Sequence, residues 1–100
     1  MIIIPIRAEP NQFLDVELAG QYCQINIYQK TQGLFLDLSA NGVEIVTGIL
    51  CHTSMKLVRY PSRGFIGDLM FIDQQGTSDP VYSGLGERWQ LCYLTESEVA

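Results

Sequence analysis

At 100 residues the chain is one small domain, able to bury roughly 60–70% of the surface its unfolded form exposes. Eleven acidic against six basic residues give a net charge of −5, which argues against nucleic-acid binding and against attraction to an anionic membrane. Only 17% of residues are charged while 47% are apolar, so such a small domain has apolar surface left over, as subunits of assemblies do.

The apolar pattern has a period of two almost throughout, which places alternate side chains on opposite faces of β-strands. Residues 2–6 form a first strand that Pro5 makes irregular or confines to an edge, because proline cannot donate to the ladder. The stretch Glu9-Pro10-Asn11-Gln12 turns the chain into a second strand over 13–18. Ala19-Gly20 makes a tight turn into a third over 22–29, where Cys23, Ile25 and Ile27 interleave with Tyr22, Gln24, Asn26 and Tyr28. Lys30-Thr31-Gln32-Gly33 closes that hairpin. Strands over 34–39 and 43–47 form the clearest hairpin, because Asn41-Gly42 tolerates the positive φ its turn needs.

Gly48 breaks the pattern and 49–53 continues it weakly. Residues 56–60 are strand-like up to Pro61, and 65–72 is the most buried-looking strand. A loop over 74–80, a short helical turn or glycine-rich loop over 82–87 and a last strand over 88–94 follow, with Trp89, Leu91 and Tyr93 facing the core. Residues 96–100 read as a frayed acidic tail to a single domain spanning 1–100. The whole is all-β, a small antiparallel β-barrel or β-sandwich of about seven to eight short strands with little helix.

The inventory for catalysis is thin. His52 is the only histidine, and Cys51 beside it points to the opposite face of a strand, so the two form no local nucleophile–base pair. Asp15 and Glu17 share a strand face about 7 Å apart, an arrangement open to acid–base work but ordinary for a solvated face opposite Leu14, Val16 and Leu18. Gly84-Leu85-Gly86 starts like a phosphate-binding loop, but Trp89 stands where the third glycine belongs and no helix follows. The three cysteines show no metal-ligand spacing and no disulfide framework, so a reducing compartment is expected, with no metal or cofactor. No run is long and apolar enough for a membrane helix, and the opening Met1-Ile2-Ile3-Ile4 is too short for a secretory leader.

Contact surfaces are the better prospect. Lys56, Arg59 and Arg63, flanked by Tyr60 and Phe65, gather half of the basic residues in one stretch and suit an acidic partner. Tyr22 and Tyr28, outward in the third strand, are candidate contact aromatics.

Across most of its length the sequence resembles the baseplate plug family of contractile-tailed, myovirus-like bacteriophages and prophages. The resemblance runs through Pro5-Ile6, Glu9-Pro10-Asn11-Gln12 with Phe13, Gly20, Gly33-Leu34-Phe35-Leu36-Asp37-Leu38, Asn41-Gly42 and Gly48. It continues in Leu57-Val58-Arg59-Tyr60, Gly64-Phe65-Ile66-Gly67-Asp68-Leu69, Asp73, Gln75-Gly76, Asp79-Pro80, Tyr82, Gly84-Leu85-Gly86, Arg88-Trp89 and Tyr93. It implies a virion component, made in the host cytoplasm, that helps to plug the central channel at the distal end of the tail tube and hub until contraction. It also implies a homo-oligomer around the tail axis, with hub, spike and tube-end proteins as neighbours and no catalytic residues. An assembly adaptor absent from the finished virion is the alternative, and a small hydrolase using Asp15 and Glu17 is a third.

Overall fold

The computed structural model describes residues 1–59 and 64–99. Its strands are β1 (Ile2–Ile4), β2 (Asn11–Leu18), β3 (Gln21–Lys30), β4 (Gly33–Ala40), β5 (Val43–Leu50), β6 (Asp68–Asp73) and β7 (Trp89–Leu94), followed by the helical turn α1 (Glu96–Val99). They form two antiparallel sheets, one ordered β2-β3-β4-β5 and the other β1-β7-β6. The sheets do not close into a barrel, so the architecture is a sandwich.

The period-two pattern sets the layers. On β3, Cys23, Ile25 and Ile27 are buried, and their register partners on β4 are Ala40, Leu38 and Leu36. These side chains meet Ile4, Leu69, Phe71, Leu91 and Tyr93 of the smaller sheet in one core. Each buried Ile or Leu is worth about 1.5–3 kcal/mol of transfer free energy, so this shared layer dominates the stability of the fold. The hairpin turns follow from sequence too: Asn41 and Gly42 have φ of 52° and 79°, the paired positive values of a two-residue hairpin loop.

The boundaries differ where local chemistry intervenes. β5 runs unbroken through Gly48, which has φ of +63° and forms part of a bulge, so the register to β4 slips between Leu36 and Leu38. Asp37 Oδ1 accepts the Gly48 N–H at 2.6 Å, which satisfies the donor the bulge frees. The strand expected over 56–60 is absent among the described residues, and Tyr60 lies outside them. Ser54 and Arg59 adopt positive φ there, and the segment instead lies along β6. Ser54 N–H donates to Phe71 C=O, Leu57 N–H to Leu69 C=O, and Val58 N–H to the buried Asp68 carboxylate.

β6 begins at Asp68, not at 65, because Gly67 turns the chain with φ of +99°. The 82–87 stretch contains a single 3-10 turn, Tyr82–Gly84. Where the sequence suggests a frayed tail, Glu96–Val99 is one helical turn with Val99 buried, and the Met1 ammonium meets Glu98 at 2.6 Å.

Candidate functional site

Strand alternation gives the larger sheet an outer face as well as a core face. Register sets Phe13, Asn26 and Asp37 in one row across it, and Asp15, Gln24, Ser39 and Glu44 in the next. Glu17 stands opposite Tyr22, and Tyr28 opposite Phe35. Phe13, Gln24, Asn26, Asp37, Ser39, Glu44, Val46 and Thr47 enclose a shallow cavity of about 250 Å³. The face therefore carries Asp15, Glu17, Asp37 and Glu44, with Lys30 at one end over the Tyr28 and Phe35 rings at 5.4 and 5.6 Å. Phe13 is 60% exposed and Tyr22 51%, large rings left to water on an otherwise polar, acidic surface.

The two tyrosines differ in availability. Tyr22 is open. Tyr28 is half-buried, stacks on Phe35 at 5.9 Å and donates its hydroxyl to Asp37 Oδ1 at 3.0 Å. Burial, and then the adjacent Asp37 carboxylate, push its phenol pKa upward. Six residues of strand separate the two rings along the sheet, about 20 Å.

The basic candidates are elsewhere. Lys56 and Arg59 lie exposed on the segment beside β6, and Lys56 Nζ reaches the carbonyl of Val99 at 3.4 Å. Tyr60 and Arg63 fall outside the described residues. Phe65 is 2% exposed and packs edge-on against Tyr93 at 6.0 Å, so it is a core residue and not a contact. Phe13 was not among the sequence candidates, although its parity with Asp15 and Glu17 puts it on the outer face.

A second constellation holds one end of the sandwich. The Asp73 carboxylate, with no exposed side-chain area, receives Arg88 Nε at 2.8 Å and Nη2 at 2.9 Å. It also accepts the N–H groups of Gln75 and Ser78. Arg88 first, and then these amides, hold its carboxyl well below the usual range. Arg88 lies over the Trp89 ring at 4.6 Å, and Trp89 Nε1 donates to Ser78 C=O at 3.0 Å.

Next to it, Asp79 meets His52 Nδ1 at 2.9 Å and accepts the Thr53 N–H at 3.1 Å. Sequence spacing did not reveal this His–Asp pair, because 27 residues separate its members. Both side chains are about half exposed, and the Cys51 thiol beside them is pushed up to about 12 by burial. That thiol is no nucleophile near neutral pH. The pair closes the 52–54 turn on the loop after β6, which is a structural task. Asp15 and Glu17 stand exposed on the outer face, two register pairs apart.

Residues 1–96 match the family model described as "Cyanophage baseplate Pam3 plug gp18". Among curated proteins there is no match.

Proposed function

The chain belongs to the phage baseplate plug family described by cyanophage Pam3 plug gp18, and from that membership we propose that it helps to close the channel at the distal end of a contractile tail until contraction. A structural role in the phage tail baseplate, in association with other baseplate proteins, is what family membership supports. The finer reading has the protein made in the host cytoplasm and then set around the tail axis as a homo-oligomer, with hub, spike and tube-end proteins as neighbours. Cyclic copies suit a rotationally symmetric tube. As a structural part it performs no catalysis in this reading.

The observation that carries this reading is the continuity of the match over residues 1–96. The physical surface is compatible with it. Met1, Ile2, Ile3, Phe13, Tyr22, Val43, Ile66 and Val81 leave large apolar side chains in water, which packing into an assembly would cover. Among the described residues that the sequence singles out, Tyr22, Lys56 and Arg59 are the accessible contact residues of this proposal.

Mass spectrometry of purified tails, with light scattering of the recombinant chain beside it, tests the reading. A fixed copy number in the baseplate and a defined oligomer are expected. Absence from finished particles would overturn the plug and leave an adaptor that assists assembly without staying.

A further inference from the structure

We propose that the free edge of β2 is a docking strand, to which an extended segment of a neighbouring baseplate protein with Lys or Arg at alternate positions adds as a fifth strand. This rests on the baseplate reading above and names the edge and the chemistry of the partner.

The register fixes which backbone groups are available. Gln29 N–H donates to Pro10 C=O at 2.8 Å, so residues 10 and 29 are a hydrogen-bonded pair of the β2–β3 ladder. In an antiparallel ladder such pairs recur at every second residue. Residues 12, 14, 16 and 18 therefore bond to β3, and the N–H and C=O groups of Asn11, Phe13, Asp15 and Glu17 point away from it. β2 is the end strand of its sheet, and among the described residues nothing is bonded to those groups.

The other three sheet edges are blunted and this one is not. β1 has three residues and stops before Pro5. β5 is bent by its bulge at Gly48. The outer side of β6 is occupied by the N–H groups of Ser54 and Leu57. β2 offers eight regular residues without proline, lysine or a bulge, which is a template for strand addition.

Charge selects the occupant. A carboxylate on an edge ordinarily protects it, and here Asp15 and Glu17 do so against a second copy, since β2 against β2 would set acidic side chains facing one another. For a basic strand the same two groups are attractive, and the Asp37 and Glu44 carboxylates farther across the face add to the negative field. Phe13, two residues along on the same face and bordering the 250 Å³ cavity, calls for an apolar side chain opposite it. The partner segment thus reads apolar, basic, basic at every second position, in one direction or the other.

Hydrogen exchange read by mass spectrometry, on the isolated recombinant chain and on purified tails, is the test. The amides of Phe13, Asp15 and Glu17 should exchange freely in the isolated chain and slow by about 100-fold or more in tails. In tails carrying the double variant Asp15→Lys, Glu17→Lys, whose exposed positions leave the core intact, the copy number should fall to a small fraction of wild type. Asp15→Pro, which removes an outward N–H and one of the two carboxylates but no hydrogen bond of the β2–β3 ladder, should fold and also fail to incorporate.

Unprotected edge amides in tails that contain the wild-type chain would overturn the docking strand and leave the baseplate reading standing. Wild-type incorporation of the double variant would do the same. Protection that grows with concentration in the isolated chain would assign the edge to a second copy and overturn the basic partner. A wild-type chain missing from tails altogether would instead sink the baseplate reading itself.

Discussion

The side-chain amide of Gln21 pairs with both backbone groups of Ile66 as a strand would: Ile66 N–H donates to Oε1 at 2.8 Å, and Nε2 donates to Ile66 C=O at 3.1 Å. Nε2 also donates to Leu18 C=O at 3.1 Å, and the Tyr93 hydroxyl donates to the same Ile66 carbonyl. Gln12 does the same for Arg7, with bonds of 3.0 and 2.6 Å, and Gln29 Oε1 accepts the Tyr82 N–H. Glutamines of the larger sheet thus stand in for a missing strand at these three loop crossings.

Replacing Gln21 with Ala leaves the Ile66 amide without its acceptor, at a cost of about 1–3 kcal/mol. Gln21→Glu loses the donor and sets a carboxylate against two carbonyls, so it should cost at least as much. Urea unfolding followed by tryptophan fluorescence would show both midpoints lowered; an unchanged midpoint for Gln21→Ala would mean the loop holds by packing alone.

Acid should unfold the chain through its paired carboxylates. Arg88 depresses the Asp73 carboxyl, the Met1 ammonium holds Glu98 at about 2, and His52 lowers Asp79. A folded-state value below the unfolded one means stability is fully present above the unfolded value, near 4, and lost as pH falls beneath it. The melting temperature should therefore drop between about pH 4 and pH 2. Asp73→Asn should start lower at neutral pH and fall less steeply. A wild-type melting temperature constant down to pH 2 would refute the assignment.

Strands of both sheets are legible in the sequence, but the contacts between distant segments are not. Alternation in β3 and β4 sufficed to place Cys23, Ile25, Ile27, Leu36 and Leu38 in the core, because burial on one face enforces the period. It also sufficed for Asn41-Gly42, where the turn chemistry is local. Residues 56–60 are strand-like in sequence, yet the segment from Ser54 to Val58 lies along β6 with positive φ at Ser54, a choice made by Phe71, Leu69 and Asp68 across the fold. The pair Asp79 and His52 was illegible for the same reason. So was the purpose of the Gly84-Leu85-Gly86 run: a Cβ on Gly84 would overlap the Trp89 ring, and one on Gly86 would overlap the Ile6 carbonyl. The motifs Asp73, Gly76, Asp79, Gly84 and Arg88-Trp89, scattered along the chain, meet at one corner around the Asp73–Arg88 ion pair and the adjoining His52–Asp79 contact.

Ala19 should be the easiest residue to improve. It is exposed at φ of 51° in the β2–β3 turn, and Gly20 follows at 76°. A left-handed alanine costs about 1 kcal/mol in contact between its Cβ and the carbonyl. Ala19→Asn recreates the Asn-Gly turn that joins β4 to β5, and Ala19→Gly removes the Cβ. Each should raise stability by about 0.5–1 kcal/mol, read as a higher urea midpoint at unchanged slope. Ala19→Val, branched at Cβ, should lower it; a gain from valine would show that the turn is not left-handed in solution.

The free thiols offer a probe of how the sandwich opens. Cys23, Cys51 and Cys92 are all buried and unpaired with one another, and burial raises each pKa, that of Cys51 to about 12. At pH 8 a thiol with the Cys51 value is ionised to about one part in ten thousand, and only the thiolate attacks a disulfide reagent. The native chain should therefore react slowly with a disulfide-exchange reagent, and three thiols should appear at once in urea. The order of slow reaction follows from position. Cys23 lies mid-sandwich between β2 and β4, whereas Cys92 is on the face of β7 away from Leu91 and Tyr93, near the Met1 ammonium. The turn α1 packs on β7 and the Met1–Glu98 ion pair ties the chain ends together beside it, contacts that open at low cost. Cys92 should react first, and Glu98→Gln should quicken Cys92 alone. Equal acceleration of all three would instead mean that the thiols are exposed only by global unfolding, with the terminal clasp part of the same cooperative unit as the core.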